Sequence, residues 1–161
     1  MGRLNDSLHV AGTLSSDTLV IPAGTLVNAG VSSIAAIGAE KLDHQHQRVY
    51  AQNGTAASAT QVIHYTVGTT GTVYEFKAGS VTACTGAATI TVDLRKNGTT
   101  MLTAVITLDN ANTAYIAEAG TLSATAVVAG DVLTVVIVAT AGGGTLGTGL
   151  FVHCKIREKA D

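Results

Sequence analysis

From about residue 58 onward, apolar and polar residues alternate in short runs that are separated by turn-forming residues, which predicts one strand after another. In ATITVDLR, the alternation places Ile90, Val92 and Leu94 on one face of a strand. The run GLFVHCKIRE repeats this pattern, with its inward face formed by Leu150, Val152, Cys154 and Ile156. The turns between runs are rich in glycine and asparagine, as in KNGTT and AGGGTLGTG.

One run, DVLTVVIVAT at 131–140, is apolar on both faces after Thr134. A strand of this kind needs cover on both sides, and a small sandwich has only one interior. The pattern therefore predicts an oligomer interface on this strand, formed by Leu133, Val135, Val136, Ile137 and Val138.

The pattern before residue 50 is shorter and more punctuated, and it includes the only proline of the chain, Pro22. Short strands such as LHVAGTL have little apolar surface with which to build a core, and Ser33 is placed to cap one short helical turn. We therefore predict an extended N-terminal arm at 1–50 and a β-sandwich at 51–161. About eight strands without a long helix indicate an all-β, jelly-roll-like β-sandwich, and the absence of tryptophan disfavours an immunoglobulin-type sandwich.

The charge and the apolar runs of the chain indicate which classes of partner are not expected. Charged residues make up 12% of the chain and the net charge is −2, with lysine and arginine scattered, so nucleic acid is not an expected partner. The longest apolar run is too short for a membrane helix, and no signal peptide is recognised at the start. Cys84 and Cys154 each lie in apolar strand-like runs, which predicts buried free thiols.

The stretch IGAEKLDHQHQRVY holds the most suggestive chemistry, because His44 and His46 project to the same side of an extended chain. Such a pair suits a metal chelate of the cupin type, but no glutamate follows at the expected spacing, and His64 or His153 would have to complete the set. The alternative is a polar junction between arm and sandwich formed by His44, His46 and Tyr50. We favour the junction and expect no metal ligand.

Other motifs give no support for catalysis. GGGTLG at 142–147 matches a dinucleotide-binding pattern, but it joins two predicted strands and opens no helix. No nucleophile elbow is present, and neither cysteine has a sequence context that would activate it. We therefore expect no catalytic residue, no cofactor and no enzymatic activity.

The segments SLHVAGTLSSDTLVIPAGTLVNAGVSSIAAIGAEKLDHQH and ATITVDLRKNGTTMLTAVITLDNANTAYIAEAGTLSATAVVAGDVLTVVIVATAGGGTLGTGLF resemble virion proteins of tailed bacteriophages. More narrowly, the chain is similar to capsid decoration (cement) proteins built from an N-terminal arm and a β-sandwich. Similar sandwich modules also occur at fibre tips, so a tail-fibre or head-fibre receptor-binding module is the alternative, and a cupin-like metal-binding protein is a third.

The resemblance implies a homotrimer on the outer capsid surface of a virion assembled in the host cytoplasm, with the major capsid protein as partner and no membrane contact. It also implies that the arm reaches neighbouring capsid subunits through its apolar residues. These are Leu8, Val10, Leu14, Leu19, Val20, Ile21, Leu26, Ile34 and Ile37.

Overall fold

The computed structural model describes residues 43–159 of the chain, and these residues form ten strands. The strands are β1 (Asp43–Ala51), β2 (Ala59–Tyr65), β3 (Thr70–Thr82), β4 (Thr89–Lys96), β5 (Thr99–Thr100), β6 (Ile106–Leu108), β7 (Glu118–Ala119), β8 (Ala126–Val128), β9 (Val132–Thr140) and β10 (Thr148–Lys159). The predicted arm residues from Leu8 to Ile37, and the predicted helical turn near Ser33, lie outside the described residues.

Two five-stranded antiparallel sheets form the sandwich. Sheet A has the order β1-β10-β3-β7, with β8 also on β3, and sheet B has the order β2-β9-β4-β5, with β6 also on β4. The pairing is nested along the chain: β1 with β10, β2 with β9, β3 with β8, and β4 with β6. This nesting is the arrangement of a jelly roll, so the predicted all-β sandwich is confirmed.

The alternating pattern correctly predicted which side chains enter the core. Ile90, Val92 and Leu94 on β4 are fully buried, as are the inward residues of β10, and they pack with Phe76 of β3 between the sheets. Both cysteines are buried free thiols, as expected, and burial raises the pKa of Cys154 to about 12. Apolar burial of this kind is the main stabilising contribution in such a fold.

Turn chemistry sets the register of the β4–β5 hairpin. Asn97 and Gly98 have φ values of 49° and 85°, as the two central residues of a type I′ turn require. Asn97 Oδ1 accepts a hydrogen bond from the Val132 amide at 2.8 Å, which ties the turn to the start of β9. The glycine-rich segment 142–147 joins β9 to β10, and a Cβ on Gly144 would lie 1.9 Å from the Thr85 carbonyl oxygen. This segment is therefore a close-packed strand connection.

Three parts of the strand pattern differ from what the sequence suggests. TVYEFKA and SVTAC each have the pattern of a separate strand, but they belong to one strand, β3, which ends at Thr82. MLTAVITL also has the pattern of a strand, but most of it is loop, with pairing only at Leu102 and in β6. Residues 43–51 form β1 and pair with β10 along their whole length, so the predicted boundary at residues 50 and 51 falls inside the sandwich. The backbone hydrogen bonds of sheet A continue through this polar stretch, which no alternation of apolar residues had indicated.

The predicted interface strand is also corrected in part. Leu133, Val135 and Ile137 face the interior between the sheets and are 0%, 0% and 2% exposed, so they are core residues. Val136 and Val138 face outward from sheet B. The inner face of β9 is covered by the core side chains between the two sheets. On its outer face, Val136 is partly buried and Val138 is exposed.

A matched pair of substitutions tests whether Ile137 faces the core. Ile137→Ala removes core contacts and should lower the free energy of unfolding by about 2–5 kcal/mol. Val49→Ala, at an outward and 68% exposed position on β1, should change it by no more than about 0.5 kcal/mol. Urea denaturation of both variants measures the difference, and equal costs would show that Ile137 does not face the core.

Candidate functional site

A polar cluster closes one edge of the sandwich, where the outer strand of sheet A (β1) lies next to the outer strand of sheet B (β2). Arg48 and His46 come from β1, His64 from β2, and Glu158 from β10. Even-numbered residues of β1 share the inward face with Glu158, because His44 is opposite Glu158 and His46 is opposite Ile156. The strand pairing therefore brings these side chains into the space between the sheets.

Glu158 is the centre of the cluster and is 2% exposed. One of its carboxylate oxygens, Oε1, is hydrogen-bonded to His64 Nε2. The other, Oε2, accepts from the Gly68 amide at 3.3 Å and lies 3.7 Å from His46 Nε2. A buried carboxylate is costly unless it is paired in this way.

The tautomer of His64 is fixed by its two partners. Arg48 Nε donates a hydrogen bond to His64 Nδ1 at 3.0 Å. A guanidinium has no acceptor, so Nδ1 must carry the lone pair and Nε2 must carry the proton. The Nε2–H then donates to Glu158, which gives a directed chain from Arg48 through His64 to Glu158. We call these three residues the edge clasp.

The electrostatics favour a charged glutamate and a neutral His46. Burial raises the pKa of Glu158, but the hydrogen bonds from His64 and Gly68 outweigh this effect, so the pKa lies below its usual value. The pKa of His46 is also lowered, chiefly by burial, while nearby Glu158 partly opposes that shift.

The cluster resembles the set that a cupin-like metal site would need, because His46 and His64 lie with ring centroids 5.2 Å apart beside a glutamate. His44 is further along β1, with its ring 6.4 Å from that of His46. However, a metal at His64 Nε2 would require that nitrogen to present its lone pair, and the contact with Arg48 places the proton there. Within residues 43–159, no group of three or more potential ligands is arranged to hold a metal ion.

The sequence placed His44, His46 and Tyr50 at a junction, and the structure places all three on the inward face of β1. His46 joins the cluster. Tyr50 packs at the margin of the core, where its hydroxyl accepts a hydrogen bond from Gln52 at 3.3 Å. Arg48, His64 and Glu158 were not predicted as site residues. The alternation along β10, continued from Ile156, would have indicated that Glu158 points inward. The sequence could not indicate its partner, because His64 lies 94 residues away along the chain.

A second polar site lies on sheet B, where an open cleft of about 340 Å³ is lined by Asp93, Arg95, Thr100 and the following loop. The alternation along β4 places Asp93 on the outward face, where a solvated side chain is expected, yet Asp93 is 5% exposed. Its carboxylate accepts from Arg95 Nε at 2.8 Å and from Thr100 Oγ1 at 2.6 Å. These bonds hold the β4–β5 hairpin together, which is a structural role.

The outer faces of the two sheets differ in polarity. Sheet A carries a charged network in which Glu75 contacts Lys77 and Lys155 at 2.9 Å and His153 at 3.3 Å. These contacts, led by Lys77 and Lys155, lower the pKa of Glu75 to about 2. The outward positions of β2, β4, β6 and β9 are instead mostly valine and threonine, with Asp93 and Arg95 forming a neutral pair. We call this surface the valine-threonine face; its apolar members include Val62, Val136 and Val138.

Within residues 43–159, the structure contains no helix long and apolar enough to cross a membrane. No protein-family model matches the chain, and no curated protein matches it. Among solved structures, one similar chain is from a structure described as "Desmodium yellow mottle tymovirus". The two chains share 10% sequence identity over 99% of this chain and 96% of that chain, with a TM-score of 0.32. At this TM-score the similarity supports no conclusion about fold or function.

The buried charge of Glu158 makes a testable contribution to stability. Glu158→Gln keeps the size of the side chain but removes the charge that His64 and Gly68 stabilise, so the free energy of unfolding at pH 7 should fall by about 1–3 kcal/mol. Because the folded pKa of Glu158 is below its unfolded value, the wild-type advantage is complete above the unfolded value. It should then shrink as the pH falls through the folded pKa.

Urea denaturation from pH 7.5 to well below pH 4 measures this dependence. Glu75→Gln is the matched control, because its ion pairs lie on the solvated face of sheet A and should add little to stability. If both substitutions cost the same at pH 7, the buried network would not stabilise the sandwich.

Proposed function

We propose that this chain is a structural virion protein of a tailed bacteriophage, which decorates the outer capsid surface and stabilises it by bridging neighbouring major capsid subunits. In this proposal the protein is a homotrimer, has no enzymatic activity, and needs no metal or cofactor. It contacts neither nucleic acid nor membrane, and it joins the capsid in the host cytoplasm. The sequence resemblance described above supports this function.

The observation that supports the proposal most directly is the valine-threonine face. Val62 and Val138 on this face are 64% and 49% exposed, and the one charged pair on it is neutral overall. A contiguous face with little charge on a small sandwich is suited to protein contact. A trimer formed through this face would leave the charged outer face of sheet A in solvent.

The position of β1 supports a role for the preceding residues in docking. β1 begins at Asp43, opposite Lys159, so the chain enters the sandwich at the end where β10 finishes. The loop that joins β6 to β7 is at the opposite end, because the Tyr115 amide in this loop donates to the Ser80 carbonyl, and Ser80 lies opposite Leu150 near the start of β10. An arm that enters at one end can contact a capsid while the opposite loops face outward.

The proposed mechanism depends on linked weak contacts. Extended apolar segments of the arm would add to exposed sheet edges or grooves of capsid subunits. Three arms on one trimer reinforce each other through effective concentration. Binding only to the mature shell then stabilises that shell by mass action.

A receptor-binding module is the second candidate, and the β6–β7 loop favours it. Tyr115 is 72% exposed and has a φ of 63°, which is uncommon for a bulky residue, and the adjacent Ile116 is 55% exposed. An exposed aromatic side chain on a loop is suited to contact with another molecule. Binding of the isolated protein to host cells, lost in Tyr115→Ser, would favour this candidate.

The arm prediction separates the two candidates. Deletion of residues 1–42 keeps all of β1, so the sandwich should remain folded while binding to undecorated particles falls at least ~100-fold, because three linked contacts are lost together. Occupancy is measured by adding full-length and shortened protein to particles that lack it and comparing their heat resistance.

A point-substituted control keeps the chain length constant. Leu8→Ser, Leu14→Ser and Leu26→Ser together remove apolar arm residues and should also reduce occupancy. Equal decoration by the full-length and shortened forms would rule out the arm as the docking element and shift the proposal to contacts made by the sandwich.

The trimer prediction concerns the valine-threonine face. Val138→Lys places a charge on this face and should weaken trimer association at least ~100-fold, on the order of 3 kcal/mol. Val49→Lys, on the other sheet and more exposed, should leave the trimer intact. Sedimentation at micromolar concentration measures both variants, and a monomeric wild-type protein would contradict the trimer.

A further inference from the structure

Two basic side chains on sheet A differ from the other lysines and arginines of residues 43–159. The others each form an ion pair or a hydrogen bond with a described group; they are Arg48, Lys77, Arg95, Lys96 and Lys155. The side chains of Arg157 and Lys159 form neither kind of contact with the described part of the chain. They lie two residues apart on the exposed face of β10, so they point to the same side of the sheet.

Arg157 and Lys159 line a groove of about 150 Å³ on the outer face of sheet A. The other side of the groove is formed by Thr72 and Thr70 of β3, which lie opposite Arg157 and Lys159 in the strand register. All four residues are exposed. The pairing of β3 with β10 therefore arranges two cations and two hydroxyl groups around one groove. We call these four residues the basic groove.

The acidic residues near the basic groove do not neutralise it. Glu75, on the same face of β3, is held by its own basic partners, and a register shift in the pairing of β3 with β10 lies between it and the groove. Glu158 points into the interior and is 2% exposed. Asp43 lies opposite Lys159 on β1, which is on the side of β10 away from β3.

The strand on the other side of β3 carries no charge at this position. β8 places Val128 opposite Thr70 and Ala126 opposite Thr72. No described side chain therefore supplies a negative charge to the groove from β3, β8 or β10.

We propose that the basic groove binds a carboxylate that an acidic segment of a protein partner inserts into it. The planar guanidinium of Arg157 matches a carboxylate and can donate two parallel hydrogen bonds to its two oxygens. Lys159 adds a second positive charge, and the hydroxyl groups of Thr70 and Thr72 can donate to the remaining lone pairs.

The size and lining of the groove favour a protein side chain over other anions. At about 150 Å³ it is smaller than the roughly 300–1,000 Å³ of typical small-molecule sites, so it suits one group projecting from a larger partner. The groove is lined by threonine, glycine, arginine and lysine, and none of these lining residues is aromatic. A nucleic-acid base would therefore have no surface on which to stack.

The position of the groove relates it to the proposed function, on which the inference rests only for the identity of the partner. Because Asp43 lies opposite Lys159, the groove is at the end of the sandwich where the chain enters β1. That is the end at which the arm would contact the capsid, so the partner would be an acidic segment of a capsid subunit. One exposed ion pair contributes little, but three grooves on one trimer would act together.

The test uses the full chain and a short polyglutamate peptide, with polyglutamine of the same length as the neutral control. NMR titration should show saturable shifts of the Thr70 and Thr72 amide resonances with polyglutamate only. Arg157→Gln should weaken this binding at least ~5-fold, because a bidentate, charge-assisted contact is lost. Lys77→Gln removes the same charge from the same face outside the groove, so its affinity should stay within ~2-fold of the wild type.

Three results would overturn the site: no saturable shift with polyglutamate, equal shifts with polyglutamine, or equal losses in Arg157→Gln and Lys77→Gln. Tighter binding of glucuronate than of polyglutamate would assign the groove to an acidic sugar and overturn the protein partner. Because the titration uses no particles, its failure would leave the proposed capsid role standing. Peptide binding that depends on Arg157, together with unchanged occupancy of Arg157→Gln on undecorated particles, would instead rule out the capsid subunit as the partner.

Discussion

A carboxylate buried between two sheets must be compensated, and the edge of this sandwich is arranged around that requirement. Glu158 projects inward from β10, following Ile156 in the alternation, at a place where apolar residues would continue the core. Its charge is stabilised by His64 from the opposite sheet and by the Gly68 amide. Because His64 must then donate through Nε2, its other nitrogen is an acceptor, and Arg48 of the outermost strand fills that role. One buried charge thus connects three strands of two sheets.

The sequence predicted the fold wherever one face of a strand is apolar. Ile90, Val92 and Leu94 on β4 form such a face, and the asparagine-glycine turn after them has the backbone angles that its residues favour. The pattern fails at β1 for a physical reason. The inward residues of β1 lie at the margin of the sandwich, where His46 and Arg48 meet other polar groups, so no apolar alternation marks the strand.

The candidate site was predictable only in part. The spacing of His44 and His46 correctly indicated that both project to one side of an extended segment. The partners of His46 and Arg48 depend on long-range pairing, because Arg48 meets His64 16 residues later and His64 meets Glu158 94 residues later. Local spacing carries no information about such contacts. Likewise, the apolar character of β9 could not show that Leu133 and Ile137 are covered from within, since their cover comes from core side chains that lie far away in the sequence.

The two outer faces of the sandwich and its β1 edge differ in polarity. Glu75 and its basic partners keep the outer face of sheet A solvated. Val62 and Val138 leave the outer face of sheet B with apolar surface that water solvates poorly. β1, with its polar inner residues, is an outer strand whose free backbone edge would invite pairing with another chain. β1 is held to sheet A by its pairing with β10 along its whole length, and the bond from Arg48 to His64 adds a link from this strand to sheet B.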